Sequence, residues 1–484
     1  MTNYAGGGYS FFVMKMKKGT YLLSTLMLAS VVFAETSYDY IWNSSPTGEN
    51  YDWNNAANWT DGSGAAVDTV PNAESNVFII TSLENGLDGS SSDVTTGNNI
   101  NLGGDVTVKS VNWEVRSNVQ KFYTGGTLYT ESFTLVSSAE HYISGGGPSG
   151  GVQVCIGSDL NVTNADGTGL LTIGAVTAKF NYIGADTIVN DRIVADNITL
   201  LTPNAWADSS DTKLSLGWGN AGTKDEAIIT VNNTLTLGDK TEIDFTRDFR
   251  ENSYLSAGGI NGSGKIVGVK TEGRNFYITL TGVGEFLYGG IVSGNTNVIM
   301  DSSSTQIFTN SENSFASVTM IAGRGEFEGS LGNVVIEGGT ISSYDVDSAD
   351  TVMNMASLTW SGGAIDINIL EDMSDTIAIA GNFTTSGDDK LTFDLDFDEF
   401  GMESFLEGKD DKSYTYDILS IGGISTIDNS NFVFDDNSDK FNYDFAVEDG
   451  IGKLTISLIQ VPEPADIAVI FGAFALIFAA YRRK

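Results

Sequence analysis

Histidine and cysteine are almost missing from this chain: His141 and Cys155 are the only ones among 484 residues. One imidazole and one thiol cannot supply the nitrogen and sulfur ligand set of a zinc site. A lone cysteine closes no intramolecular disulfide, so stability has to come from backbone pairing and packing. His141 is also the sole imidazole for a nucleophile–base arrangement. It stands in "SAEHYISGGG" with no nucleophile-elbow pattern nearby, and reads as a turn histidine. Cys155, in "VQVCIG", reads as a small buried hydrophobe.

Cations are scarce too. The chain carries 25 Lys and Arg against 62 Asp and Glu, a formal net charge of −37. Such a surface repels phosphate backbones and excludes nucleic acid as a partner, because that binding relies on clustered Lys and Arg. Charged residues are still only 18% of the chain against 41% hydrophobic ones, which marks a folding sequence and not a disordered acidic tail. Proline is the third scarcity: Pro46, Pro71, Pro148, Pro203, Pro462 and Pro464 are all there are, and 204–461 contains none. Proline has no N–H to give to a ladder, so a long proline-free stretch is what one uninterrupted β-structure requires.

What the chain has is strands. Runs such as "DVTV", "LLTIG", "TLTLG", "NVIM", "SVTMI", "NVVIEGG", "SLTWSGG" and "DTIAIAG" are four to seven residues long, rich in Val, Ile and Thr, and bounded by Gly, Asn, Asp or Ser. Val298, Val318, Val334, Leu358 and Ile379 recur at about 20 residues, the spacing of solenoid rungs and not of propeller blades. The 56 glycines suit the corners between rungs. "DSSST", from Asp301 to Thr305, reads as a turn outside the ladder. Trp42, Trp53 and Trp59, with Tyr38, Tyr40 and Tyr51, read as a cap over the first rung, with a sugar-stacking platform as the alternative.

Two acidic stretches are candidate calcium sites. In "LTFDLDFDEF", Leu391, Phe393, Leu395 and Phe397 fall on one strand face and Asp394, Asp396 and Asp398 on the other. An EF-hand starting at Asp394 would need Gly at 399 and Glu at 405, where Glu399 and Phe405 stand, so the run reads as a solvated face guarding an edge strand. "FDDNSDKF" offers Asp435, Asp436 and Asp439, and reads as a polar turn. No cofactor is expected, calcium being the one candidate. No catalytic residue is singled out, although carboxylate pairs alone can hydrolyse glycosides.

The termini speak about location. Met14-Lys15-Met16-Lys17-Lys18 is a cationic n-region, Tyr21 to Phe33 an apolar h-region, and Val32-Phe33-Ala34 a small-x-small site ahead of Glu35: a secretory signal peptide with its true start at Met14 or Met16. Glu35 is not cysteine, which excludes lipid anchoring there. At the other end, Val461-Pro462-Glu463-Pro464 precedes an uncharged run from Ile467 to Tyr481 and the cations Arg482, Arg483 and Lys484. As a helix the run reaches about 22 Å, short of a full span. The cations hold the end on the cytoplasmic side. Without the two ends the chain keeps 19 basic and 60 acidic residues.

This tail resembles the PEP-CTERM sorting signal of exported proteins in diderm bacteria: the motif, the apolar stretch and the basic end occur in the family's order. The resemblance covers about the last 24 residues. It implies passage through the Sec translocon, cleavage by signal peptidase, transient anchoring in the inner membrane, recognition by an exosortase-type membrane protease, and delivery to the cell surface or matrix. A second resemblance lies inside the chain. "NNAANWTDGSGAAVDTVPNAESNVFI", from Asn54, is similar to the opening module of passenger-type β-helix proteins. "EGGTI", "LTWSGGAIDINI" and "GNFTTSGDDKLTFDL" are similar to autotransporter-associated β-strand repeats. Those families imply a right-handed parallel β-helix with a surface role, although no membrane barrel follows here.

The expectation is an all-β protein: a right-handed parallel β-helix with a β-rich C-terminal region and a single C-terminal hydrophobic helix. Residues 1–34 form the signal peptide, 35–100 an aromatic cap region, 101–390 the solenoid, 391–460 an acidic β-rich region, and 461–484 the sorting signal with its membrane segment. The expected role is a non-catalytic structural or adhesion protein of the cell surface or extracellular matrix. The alternative is a polysaccharide-binding or polysaccharide-processing β-helix protein, with exopolysaccharide the candidate partner.

Overall fold

Strand after strand pairs parallel to the one a turn earlier, which is what a chain of short β-runs with donors at every position permits. The structure, a computed structural model, describes residues 38–42, 52–81, 99–115, 120–123, 126–137, 153–157, 159–180, 192–202, 212–216, 227–245, 252–344, 350–386, 390–427, 429–435 and 440–459. The signal peptide with Ala34 and Glu35, His141, Asp436, Asp439 and the whole tail from Val461 to Lys484 lie outside the described residues.

The described chain is all-β and rich in parallel pairing. One ladder passes from Glu285–Tyr288 through Thr305–Phe308, Arg324–Phe327, Thr340–Ser343, Ala364–Leu370 and Leu391–Asp396 to Phe432–Asp435. A second passes from Ala227–Leu237 through Asn252–Gly262, Asn275–Leu280, Thr296–Met300, Ser314–Met320 and Ser330–Ile336 to Val352–Trp360. A third, of eight parallel strands, starts at Asn99–Asn101 and ends at Val292–Ser293. From residue 265 to 288 the chain visits the third, second and first ladders in turn, and after residue 293 it alternates between the second and the first. Parallel pairing runs on across residues 100 and 390, with Asn76–Thr81 against Ser110–Val115 and Leu391–Asp396 against both neighbours.

Packing follows from the register. Ile278, Val298, Val318, Val334, Leu358 and Phe383 align one above the next and are all buried. Burying each such side chain contributes about 1.5–3 kcal/mol. The recurrence read from the sequence is this column, with one correction. Ile379 stands over Met355 and not over Leu358, because two short strands, Thr376–Ile379 and Phe383–Thr385, share the rung above Val352–Trp360.

Glycine turns the corners. Gly339 and Gly363, from "EGGTI" and "SGGAI", have φ of 68° and 77°, and a Cβ on each would stand 2.5 Å from the carbonyl oxygen of Gly323 and Gly339 respectively. Only glycine tolerates both the left-handed backbone and that approach.

Both ends of the stack differ from its middle. Tyr40–Trp42 pairs parallel with Asn76–Thr81 and antiparallel with Trp59–Thr60. At the other end Ser413–Ile421 pairs antiparallel with Ile451–Leu458, and that strand with Phe441–Glu448. Beside them lies a nine-residue helix, Glu399–Glu407, which the strand grammar did not anticipate. The Leu391–Asp396 strand stops two residues earlier than its alternation suggested, and Met402 and Leu406, four apart, bury one helix face.

"DSSST" is also less free than it reads. The amides of Asp301 and Thr305 bond to the Leu280 and Gly284 carbonyls, and Ser302 and Ser304 are buried and joined hydroxyl to hydroxyl at 2.6 Å. Only Ser303 is exposed and outside these bonds. Val318→Pro removes a ladder donor from the middle of Ser314–Met320 and should cost roughly 3 kcal/mol or more. Ser303→Pro should cost far less. Chemical denaturation of the two variants, with circular dichroism showing strand and little helix in the parent, checks both; equal tolerance would contradict the stacked arrangement.

Candidate functional site

In a parallel stack at constant register, outward side chains align in columns as strictly as inward ones. The first ladder carries an outward column of acids. Glu326, Ser342, Asp366, Asp394 and Asp435 occupy matching positions on five successive strands, with strands about 4.8 Å apart. In the column beside it, Arg324 is followed by the small side chains of Thr340 and Ala364. The guanidinium folds across this space. Its Nε donates to Glu326 Oε1 at 2.7 Å, and its Nη2 donates to Ser342 Oγ at 3.3 Å and to Asp366 Oδ2.

The electrostatics are uneven along the column. Burial works against the Arg324 charge, but Asp366 and Glu326 outweigh it and keep the guanidinium firmly protonated. Burial pushes the Asp366 carboxyl above the usual range; Arg324 pulls it back, while Asp394 and Asp396 push it further up. Asp394 is raised by burial, then by Asp435 on the next strand. The expectation of a solvated face on an edge strand is corrected here. Leu391–Asp396 lies between two strands and Asp394 is half-buried, because the chain beyond it returns as Phe432–Asp435 to pair with it.

Two further carboxylates are buried and fully engaged. Asp375 accepts from the Ser343 hydroxyl at 3.0 Å, the Thr351 amide and hydroxyl at 3.1 and 2.8 Å, and the Asn368 amide and side chain at 3.2 and 2.7 Å. It ties together chain segments that the ladder alone leaves apart. Asp196, at a register shift in Arg192–Leu201, accepts from the Asn164 and Gly169 amides and from Asn232 Nδ2. Sequence reasoning missed both; the one available signal was an Asp placed where alternation demands an apolar residue.

The tryptophans cap the stack. Trp42, Trp53 and Trp59 are at most 2% exposed and meet edge to face at 4.7–4.8 Å, and Trp59 Nε1 donates to the Trp53 carbonyl at 2.8 Å. Buried rings offer no platform to a sugar. Tyr38 stacks on Phe78 and Tyr40 packs on Trp59, while Tyr51 lies outside the described residues. Cys155 lies in the strand Gln153–Gly157, in register with Lys121 and Lys179. Asp435 joins the acidic column. Among the described residues no group of three or more His, Cys, Asp or Glu is arranged to hold a metal ion, and no helix is long and apolar enough to cross a membrane. No family model, curated protein or solved structure matches the chain.

Two expectations follow. Asp375→Ala strands the Ser343, Thr351 and Asn368 donors and should cost roughly 3 kcal/mol by denaturation, with Asp375→Asn in between. For Asp394 the pKa is raised in the fold, so its ionised form opposes folding. That penalty is present above its folded pKa and disappears as pH falls through it, in a window that lies just above the ordinary aspartate value of 3.8. Asp394→Asn should therefore raise the melting temperature slightly near pH 7 and leave it unchanged near pH 4. A variant less stable than the parent at both values would contradict the assignment.

Proposed function

We propose that this chain is an exported, non-catalytic structural or adhesion protein of the cell surface or extracellular matrix. It is built as a right-handed parallel β-helix and sorted through Val461-Pro462-Glu463-Pro464. The observation that carries the reading is the long parallel ladder itself. The chain devotes its length to stacking rungs, caps the first with buried tryptophans, and finishes the last with antiparallel strands. Among the described residues the most buried carboxylates are held by backbone amides, hydroxyls and Arg324, the arrangement of groups that hold a fold together. The right-handed sense is what nearly all parallel crossovers adopt. The strongly acidic surface suits a protein that must remain apart from anionic membranes and nucleic acid. The signal peptide with its Ala34–Glu35 cut and the tail with Arg482, Arg483 and Lys484 supply the route: Sec export, then an exosortase-type protease.

One observation favours a second reading. Asp394 and Asp435 stand directly opposite on adjacent strands, and Asp394 is raised. Retaining glycosidases hold their two carboxyls at about 5–5.5 Å, close to a strand spacing. A polysaccharide-processing activity would use Asp394 as the acid.

Mass spectrometry of the exported protein should find a chain that begins near Glu35 and ends near Pro464. Recovery of Arg482 to Lys484 on the surface form would sink the sorting reading. Incubation with neutral and acidic glycans should yield no products; turnover that Asp394→Asn abolishes would replace the structural reading with the second one.

A further inference from the structure

The acids of this chain are not spread evenly around the ladders. The outward positions of the second ladder carry no charge at all across eight successive rungs. In chain order the outward side chains are Ile228 and Thr230; Asn252, Tyr254 and Ser256; Asn275, Tyr277 and Thr279; and Asn297 and Ile299. They continue with Ser317 and Thr319, Asn333 and Val335, Ser357 and Thr359, and finally Thr384. They form two straight columns. Tyr254 and Tyr277 stack at 5.4 Å, Ser317 donates to Asn297 at 2.7 Å, and Ser357 donates to Asn333 at 2.8 Å. Ile299 and Val335 lie in the adjacent column beside Thr319. Charges resume past the strand ends, at Arg274, Asp301 and Glu337, and on the strand before the first rung, where Arg192 is in register with Ile228. Along the strip's edge runs an open recess of about 570 Å³, and its lining, including Ser314, Leu331, Asn354 and Ser420, is uncharged as well.

In a chain with a net charge of −37 this distribution has one consequence for contacts between copies. Two such molecules repel wherever acidic faces meet, and the uncharged strip is where they can approach without bringing like charges together. Charge matching thus selects a partner that is itself uncharged over a long, flat strip, and a second copy presents one. We propose that this face of the second ladder is a self-association surface, on which a second copy of the chain packs by the same strip around a two-fold axis. This deepens the matrix reading above and rests on it.

The area sets the strength. Eight strands at about 4.8 Å, over five residues at about 3.3 Å, give roughly 34 by 13 Å, or about 450 Å² per copy. That is at the small end of specific interfaces. Association is therefore weak and concentration-dependent, and it strengthens where many copies are held on one surface.

The test is sedimentation of the full exported protein over a range of protein and salt concentrations. The parent should dimerise reversibly, and more tightly as sodium chloride screens its acidic faces. Ser317→Glu with Thr319→Glu should weaken dimerisation at least tenfold, whereas Ser303→Glu, outside the strip, should not. Mixing the double glutamate variant with Ser317→Lys, Thr319→Lys should restore association, which neither misfolded variant could do. A parent that stays monomeric at every concentration and salt overturns the proposal, as does equal dimerisation by all variants. Binding of a soluble neutral glucan by a monomeric parent, lost in the glutamate variant, overturns it in favour of a glycan occupant. A monomeric parent that turns over no glycan leaves the structural reading standing, while glycan turnover overturns that reading whatever the oligomeric state.

Discussion

Everything in this molecule depends on the parallel backbone ladder holding its register from one rung to the next. Each interior strand donates N–H groups to, and accepts through its carbonyls from, the strands on both of its sides, so no rung is complete alone. Proline is absent from 204–461 for that reason, and glycine sits at Gly323, Gly339 and Gly363, where one corner nests against the carbonyl of the next. The same register aligns Val298, Val318 and Val334 into a continuous apolar column without long side chains or disulfides.

Register also concentrates chemistry outside. An acid at one outward position meets whatever the next rung places there, so Asp366, Asp394 and Asp435 stand in a row, with Asp394 adding to the cost of ionising Asp366 and Asp435 to that of ionising Asp394. Arg324 relieves one end of the row by spanning three rungs, which it can do because Thr340 and Ala364 leave its column open. On the second ladder the same alignment produces the reverse, a strip of amides, hydroxyls and two stacked tyrosines.

Much of this was legible in the sequence because it is periodic. Alternation gave the strands, spacing near 20 residues gave Val298 to Leu358 as one column, and the proline-free stretch marked 204–461 as continuous β-structure, although parallel pairing starts much earlier, at Tyr40–Trp42. What stayed hidden depends on contacts between distant residues. Asp375 reads as the start of "DTIAIAG", and nothing local reveals that Ser343, Thr351 and Asn368 converge on it. Asp394 reads as a solvated edge because the strand that covers it arrives some 40 residues later. Met402 and Leu406 make a helix that period-two reading cannot detect. The acidic column and the uncharged strip require knowing which strand follows which.

The two ends of the stack have a consequence for growth. A bare parallel rung would present a row of open donors and acceptors to which another chain could add, as in a cross-β fibril. At the start, the neighbour of Tyr40–Trp42 is only two residues long and is walled by tryptophan. At the finish, the outermost strand is antiparallel and carries Asp444 and Glu448 among its exposed residues. Among the described residues this line of strands offers no bare parallel rung at either end, so a larger architecture is woven from its sides.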